Sequence, residues 1–310
     1  MDQSKKVLIT GSNGFVGKAL YDELQNQDYE LIGSVRNITK FVEEQSNVVI
    51  DSIDKKTDWG EALSKCTTVM HLASRVHILN DNTKDPLLEF RRVNTEGTIN
   101  LAEQAAEHGV KRFIFLSSIG VCGSKSVDIP FSANTDINPQ TPYTQSKLEA
   151  EEGLINLASK TDMEMVIVRS PAIYGINAPG NFGLIESSIN KGIPLPFGSI
   201  LNRRSLIYIY NLTSFLSICI HHKEVGNKIF VIDDDHDLST PEIVSVMAGL
   251  LHKQAKIIKF PRIGLQLLLK LIGKDRMRES LMDNLQIDSS ATRTLTGWEP
   301  PFNPRDFFEN

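Results

Sequence analysis

The feature that most constrains the fold is an apolar run near the start of the chain that ends in a glycine-rich turn, residues 6–17. Its three glycines, Gly11, Gly14 and Gly17, lie three residues apart. This spacing predicts a strand, a tight turn and a helix. Gly11 permits the turn, Gly14 permits the close approach of a ligand, and Gly17 permits close packing of the helix. Such a helix start presents backbone N–H groups to an anion, and the pyrophosphate of a dinucleotide suits it.

A glycine-rich turn also occurs where no ligand binds, so its place in the chain matters. A second apolar run, residues 29–35, follows the predicted helix, and the three elements together form a βαβ unit. This arrangement favours the ligand-binding interpretation. The predicted cofactor contacts are the residues of the turn and of the first helical turn: Gly11, Asn13, Gly14, Phe15, Val16 and Gly17.

Size, charge and cysteine content limit the class of partner. The chain of 310 residues can bury a large core, and its formal net charge of −5 argues against nucleic acid as the main partner. A small molecule is expected instead. Cys66, Cys122 and Cys219 lack metal-ligand spacing, which predicts a reducing compartment and no metal site. No secretion signal precedes the first strand, so we expect a cytoplasmic protein.

Apolar runs and helical patterns alternate through the first half of the chain, as expected for a doubly wound parallel sheet. From residue 174 onward Gly, Pro and Asn are frequent and the strand-like runs are isolated. We therefore predict an α/β fold with a dinucleotide-binding domain at 1–173 and a smaller α/β substrate lobe at 174–310, interleaved with the first. The predicted strands are 48–51, 68–73, 112–118, 165–169, 205–209 and 228–232, and the long predicted helices are 86–108 and 143–159.

One later segment, residues 263–272, is strongly apolar. Gln266 and Lys270 interrupt it, and it is too short to span a bilayer. We interpret it as an amphipathic helix that faces the core and predict no membrane partner. Peripheral membrane contact is the alternative.

The ends of two strands bear on the choice of cofactor. An NAD site usually places Asp or Glu after the second strand, whereas an NADP site places a basic group there. Arg36 occupies this position, which favours NADP, although a solvated loop arginine is the alternative. Asp51, after the next strand, is placed either to accept a hydrogen bond from the adenine amino group or to cap a turn.

A tyrosine and a lysine four residues apart, Tyr143 and Lys147, lie in the second long predicted helix. Residues at this spacing share one helix face. A neighbouring ammonium favours the phenolate, so we expect Lys147 to lower the pKa of Tyr143 and make it a proton acceptor or donor. Ser118 ends an apolar strand and is placed to hydrogen-bond the reacting oxygen.

The glycine-rich turn, Ser118, Tyr143 and Lys147 occur in the order found in the extended short-chain dehydrogenases/reductases, a Rossmann-fold family that the chain resembles. Within it, the chain is similar to the UDP-galactose 4-epimerase-like branch that acts on nucleotide sugars, and the resemblance covers nearly the whole sequence. The motifs that carry it are Thr10-Gly11-x-x-Gly14-x-x-Gly17, His71-Leu72-Ala73, Asn94-x-x-Gly97-Thr98-x-Asn100-Leu101, Ser117-Ser118, Tyr143-x-x-x-Lys147, Arg169-x-Pro171-x-x-Tyr174-Gly175 and Leu295-x-Gly297-Trp298-x-Pro300.

The resemblance implies roles for residues at the matching positions. Ser118, Tyr143 and Lys147 would form the catalytic triad, with Lys147 also holding the nicotinamide ribose. Leu72 and Ala73 would contact the cofactor, which is NADP or NAD.

The resemblance also implies that Arg204 and Asn181, in the second half of the chain, contact the diphosphate of a UDP-sugar substrate. A guanidinium fork matches phosphate oxygens, whereas an asparagine in a loop could equally serve a turn. Ser205, Tyr208 and Cys122 depart from the family pattern and leave the identity of the sugar open. We interpret Cys122 as a small buried hydrophobic residue.

Three functions remain in contention at this point. The segments 74–77 and 202–206 resemble 4-reductases that make N-acetylated 6-deoxy sugars for surface polysaccharides. Together with Arg36, this resemblance favours NAD(P)H-dependent reduction of a UDP-4-keto-hexosamine. A UDP-hexose 4-epimerase would use the same residues. A cofactor-binding scaffold or redox sensor without turnover is the third function. His77 is the alternative proton donor to Tyr143.

The two long predicted helices also bear on assembly. Extended members of the family often dimerise through the helices that match residues 86–108 and 143–159. We therefore predict a homodimer, in which the outer face of the first helix would present Leu88, Arg92 and Ile99. A monomer with a mixed surface is the alternative.

Overall fold

A seven-stranded parallel sheet lies at the centre of the computed structural model, which describes residues 5–37, 46–76, 85–271 and 273–308. The strands are β1 (Lys5–Thr10), β2 (Tyr29–Val35), β3 (Asn47–Val49), β4 (Thr68–His71), β5 (Arg112–Ser118), β6 (Glu164–Ser170), β7 (Ile173–Tyr174), β8 (Arg204–Ser205), β9 (Ile207–Tyr208), β10 (Lys228–Val231) and β11 (Asp237–Leu238). The order across the main sheet is β10-β6-β5-β4-β1-β2-β3, and two short pairs, β7 with β9 and β8 with β11, lie outside it. The predicted doubly wound α/β fold is confirmed.

Helices cover both faces of the sheet and build the second half of the chain. They are α1 (Phe15–Leu24), α2 (Gly60–Leu63), α3 (Pro86–Phe90), α4 (Gly97–Glu107), α5 (Pro142–Ala158), α6 (Asn181–Asn190), α7 (Ile209–Cys219), α8 (Thr240–Leu250), α9 (Arg262–Leu271), α10 (Asp275–Met282) and α11 (Ser290–Thr296). Between α3 and α4 the residues Arg91–Glu96 form a π-helical turn. Single π turns inside helices are often found at functional sites.

The central strands are apolar along their length because helices pack on both of their faces. Val7, Leu8 and Ile9 of β1 are completely buried. Val7 and Ile9 belong to the core under α1 and α7, whereas Leu8 belongs to the core under α4 and α5. The alternation therefore divides the domain into two apolar layers.

The second half of the chain contributes to both parts of the molecule. β10 pairs in parallel with β6, and α7 packs on α1, so both complete the main sheet layer. A separate core joins α6, α8 and α9 in the lobe. The strand predicted at 205–209 is instead β8, β9 and the start of α7, because Ile209 begins a buried apolar helix.

α9 confirms the predicted amphipathic helix that faces the core, but its apolar residues extend beyond the buried face. Only Leu265 and Leu269 pack into the core, whereas Ile263, Leu267 and Leu271 are exposed. Across the described residues, none of the helices has both the length and the apolar character needed to cross a bilayer.

The predicted outer face of the first long helix is also corrected in part. Leu88 and Arg92 are exposed, as expected. Ile99 packs against α5 within the same chain, where a Cβ added to Gly153 would lie 2.5 Å from its Cδ1 atom. Ile99 is half-buried and contributes to the contact between α4 and α5, so it faces outward only in part.

Candidate active site

The predicted cofactor and catalytic residues converge at the carboxyl ends of three neighbouring strands. The glycine-rich turn follows β1, Leu72 and Ala73 follow β4, and Ser118 ends β5. These strands are adjacent in the sheet, and open α/β sheets bind ligands at this edge.

The glycine-rich turn has the shape that a dinucleotide pyrophosphate requires. Gly11 has a φ of +68°, and a Cβ added to it would lie 3.1 Å from the Cα of Ala73. A Cβ added to Gly17 would lie 2.1 Å from the carbonyl oxygen of Gly11, so this position needs glycine for packing. α1 begins at Phe15 after Gly14, and no side chain caps its first N–H groups. A helix start of this kind suits an anion.

Arg36 and Asp51 lie beyond the ends of paired strands. Val35 of β2 pairs in register with Val49 of β3, and Ile50 donates a hydrogen bond to the carbonyl oxygen of Val35. Both Arg36 and Asp51 are exposed. The two side chains thus stand at the same edge of the sheet, one strand and two strands away from the glycine-rich turn.

The start of α5 sets the position of Tyr143. Thr141 caps the helix, since its hydroxyl accepts from the Thr144 N–H while Thr144 returns a bond to the Thr141 backbone, and Pro142 begins the first turn. Tyr143 therefore lies in the first turn of the helix, partly buried beside Phe90.

Lys147 joins α5 to the catalytic end of β5. Its Nζ donates to the Leu116 carbonyl oxygen at 2.9 Å and lies 4.5 Å from the centre of the Phe115 ring. Ser118 is two residues further along β5, and its Oγ accepts from the Gly120 N–H at 3.1 Å. The structure therefore brings the elements that carry Ser118, Tyr143 and Lys147 together.

Burial controls the protonation of the pair. It lowers the pKa of Lys147 from its usual 10.5 to about 7 and raises the pKa of Tyr143 to about 12. We expected Lys147 to lower the pKa of Tyr143. In the protein chain itself, desolvation of the phenolate dominates and raises the pKa instead.

His71 forms a buried hydrogen-bond chain beneath this site. The Thr10 hydroxyl accepts from the Leu72 and Ala73 N–H groups, so its proton points to Nδ1 of His71, 2.8 Å away. Nε2 then donates to Thr98, whose hydroxyl donates onward to a backbone carbonyl. Burial lowers the pKa of His71 to about 3, so the ring is a neutral bracket between β1, β4 and α4.

Asn94, in the π-helical turn, ties the loop after β4 to α5. Its Oδ1 accepts from the Arg75 N–H at 2.8 Å, and its Nδ2 donates to the Ser146 hydroxyl at 3.0 Å. Ser146 in turn donates to the carbonyl oxygen of Tyr143. Asn94 begins one of the motifs that carry the family resemblance, but the sequence alone did not predict its hydrogen bonds to the loop and to α5.

A buried ion pair that was not predicted from the sequence joins α5 to β6. The Arg169 Nη2 atom lies 2.7 Å from Glu151 Oε2, and both side chains are almost fully buried. The Ser117 hydroxyl donates to the same carboxylate. Glu151 follows Lys147 by four residues, so the periodicity of Tyr143 and Lys147, continued by one turn, was the available signal.

Cys122 is buried, as predicted, with Sγ 3.7 Å from an Arg169 nitrogen. Burial raises the pKa of its thiol. Within the described ranges, no His, Cys, Asp and Glu cluster suits a metal ion. His77 lies outside the described residues.

The two predicted diphosphate contacts meet in the lobe at α10. Arg204 is buried and donates from Nη1 to the Asp283 carbonyl oxygen at 2.9 Å. Asn181, the first residue of α6, donates to the Ser280 hydroxyl at 3.1 Å. Burial lowers the pKa of Arg204 to about 10, which leaves the guanidinium charged at neutral pH.

Known proteins resemble the chain along nearly its whole length. Residues 7–233 match the NAD dependent epimerase/dehydratase family. A UDP-glucose 4-epimerase of Vibrio cholerae is 40% identical, over 98% of this chain and 94% of that protein. A dTDP-4-dehydro-6-deoxyglucose reductase of Escherichia coli is 28% identical, over 83% of this chain and 85% of that protein.

Among solved structures, the UDP-glucuronic acid 4-epimerase of Bacillus cereus in complex with NAD has the same fold. It superposes with a TM-score of 0.76 at 20% identity, covering 98% of this chain and 96% of that one. On the family match and the near full-length relative together, the chain belongs to the NAD dependent epimerase/dehydratase family.

Proposed function

We propose that the protein is a UDP-hexose 4-epimerase. The observation that carries this proposal is the 40% identity, over 98% of the chain, to a protein described as a UDP-glucose 4-epimerase. The predicted NADP or NAD cofactor is confirmed at the level of the family, which is NAD dependent. Epimerisation, the alternative function that the sequence left open, is therefore preferred to reduction.

The residues at the sheet edge fit the cofactor and the chemistry. The glycine-rich turn and the start of α1 would hold the pyrophosphate, and Leu72 and Ala73 would line the path to the nicotinamide. A bound dinucleotide supplies hydride exchange with C4 of the sugar.

The chain's own part is to move one proton and hold one oxygen. Tyr143 would take the proton from the C4 hydroxyl and later return it, while Ser118 holds the same oxygen by a hydrogen bond. Lys147, fixed on Leu116, would hold the nicotinamide ribose. In the lobe, Arg204 and Asn181 would bind the diphosphate of the UDP-sugar.

Reduction of a UDP-4-keto-hexosamine is the second candidate. Arg36 favours it, because this exposed cation follows β2 where a ribose 2′-phosphate of NADPH would lie. The resemblance to the E. coli reductase supports the same reaction class. A scaffold without turnover is the third candidate, and the retained Tyr143 and Lys147 disfavour it.

One experiment separates the three functions. The purified protein is incubated with UDP-glucose, UDP-N-acetylglucosamine and UDP-4-keto sugars, each with NAD or NADPH, and the products are identified by chromatography. Isomerisation without net consumption of cofactor supports the epimerase. Stoichiometric NADPH oxidation with only the keto sugars would establish the reductase, and no product in any arm would leave the scaffold.

We also propose a homodimer formed by α3, α4 and α5. Leu88 is 58% exposed on α3, and Ile155 is 49% exposed on α5, so both helices present apolar side chains to solvent. Light scattering should give twice the chain mass of 34.6 kDa. A mass of one chain at micromolar concentration would refute the dimer.

A further inference from the structure

α9 presents an apolar face to solvent on the side opposite its buried face. Leu265 and Leu269 pack into the lobe core. Ile263, Leu267 and Leu271 recur every four residues on the outer side and are 72%, 57% and 84% exposed. A helix on the surface of a globular domain normally carries polar residues there. Apolar exposure of this kind marks an interaction surface.

The segment that contains this face is rich in basic residues, although the whole chain has a formal net charge of −5 and α10, which follows, begins with the acidic Asp275. Between residues 253 and 274 there are six basic residues and no Asp or Glu, and all six are exposed. Within the described parts of the chain, none of them forms a salt bridge. The six are Lys253, Lys256, Lys259, Arg262, Lys270 and Lys274.

The apolar surface continues beyond the start of α9. Arg262 lines an open cavity of about 330 Å³ together with Lys125, Val127 and Leu201, and Asp283 supplies one acidic group to its wall. Val127 and Leu201 are 71% and 86% exposed. Val127 and Leu201 thus add exposed apolar side chains near the start of α9.

We propose that this surface binds an anionic lipid bilayer peripherally, independently of the proposed function. The helix would lie in the plane of the interface with Ile263, Leu267 and Leu271 among the acyl chains. Lys270, seven residues after Ile263 and therefore beside it on the outer side of the helix, would meet headgroup phosphates. A second copy of the chain fits this surface less well, because the same basic residues would face each other across the contact.

Vesicle flotation tests the proposal with the full-length protein. The probes are vesicles of phosphatidylcholine alone and of phosphatidylcholine mixed with phosphatidylglycerol. The protein should bind the mixed vesicles and bind phosphatidylcholine vesicles weakly. Leu267→Ser with Leu271→Ser should reduce the bound fraction about tenfold or more, because two apolar side chains that would insert among the acyl chains are lost. Lys270→Glu with Lys274→Glu should reduce binding to the mixed vesicles and make it less sensitive to salt.

Leu295→Ser, a leucine 39% exposed on α11, is the matched control and should bind like the parent. Circular dichroism on each variant separates lost binding from lost folding. No binding of the parent to mixed vesicles would overturn the proposal, as would unchanged binding of a folded Leu267→Ser, Leu271→Ser variant. A smaller oligomer in this variant, with no vesicle binding by the parent, would show that the surface is a contact between copies.

Discussion

The carboxyl edge of the sheet and the lobe built around α6, α8 and α9 differ in how far apart along the chain their proposed site residues and the contacts of these residues lie. At the edge, Tyr143 and Lys147 share one face of α5, and Lys147 reaches β5 two residues before Ser118. In the lobe, Arg204 and Asn181 contact residues 79 and 99 positions away. Local spacing and strand order therefore build the edge, whereas long-range packing builds the lobe.

The two regions also differ in how far burial lowers the pKa of a basic side chain. At the edge it brings the pKa of Lys147 to about 7, so that this group exchanges protons near neutral pH. In the lobe it lowers the pKa of Arg204 only to about 10, so the positive charge persists. The edge is thus suited to proton transfer and the lobe to holding an anion. Substitutions in each region should separate these two tasks.

The largest expected effect comes from Tyr143→Phe at the edge. The change removes one hydroxyl and keeps the ring beside Phe90, so folding and cofactor binding should persist. Turnover should fall by about 10²-fold or more, because the proton acceptor is lost. Steady-state kinetics on the identified substrate and calorimetric titration with NAD measure the two effects. A variant that turns over like the parent would refute the role of Tyr143.

Lys147→Met should weaken cofactor binding and also change how stability depends on pH. The folded-state pKa of about 7 is below the usual 10.5, so between these values the unfolded chain binds more protons and stability rises with pH. The variant should lose this slope. At pH 7 its free energy of unfolding should increase by about 1–3 kcal/mol, since the cost of burying the ammonium exceeds that of leaving the Leu116 carbonyl without its donor.

Urea unfolding of the cofactor-free protein at several pH values measures this effect. Lys160→Met is the control, because Lys160 is exposed and the substitution should leave the slope unchanged. A Lys147→Met protein with the parental dependence on pH would show that Lys147 is not desolvated in the folded state.

In the lobe, Arg204→Lys should act on substrate binding more than on turnover. The lysine keeps the charge but loses the guanidinium fork, so KM should rise about 10- to 100-fold with a smaller change in kcat. Arg203→Lys, at the exposed neighbouring position, should leave KM unchanged. If both substitutions act alike, or if Arg204→Lys lowers only kcat, Arg204 does not bind the diphosphate.

The same contrast explains how much the sequence could predict. The bounds of β2 and β5 match the predicted 29–35 and 112–118, because parallel strands buried on both faces are continuous apolar runs with clear ends. The glycine-rich turn was also predictable, since Gly11 and Gly17 meet steric needs that no other residue meets. The positions of Tyr143, Lys147 and Ser118 followed from spacing and strand order.

Contacts between distant segments could not be predicted in this way. The Arg169–Glu151 pair joins β6 to α5, and the His71 chain joins three elements, so each depends on the folded arrangement. The exposed apolar side of α9 was not predicted, for a related reason. Its leucines form apolar stripes on two sides, and the sequence could not show that only Leu265 and Leu269 would meet the lobe core.

The smallest expected effect is at Arg36, after the end of β2, where we predict a contact with the 2′-phosphate of NADPH. Arg36 is exposed, so a contact with the 2′-phosphate would be partly screened by solvent. Arg36→Ala should therefore weaken NADPH about tenfold and leave NADH nearly unchanged, because only NADPH carries the additional phosphate. Arg305→Ala, another exposed arginine, is the control for a general loss of charge. Titration of both cofactors into each variant gives the ratio of their dissociation constants. An equal loss for the two cofactors, or none, would identify Arg36 as a solvated loop residue and remove the observation that supports the reductase.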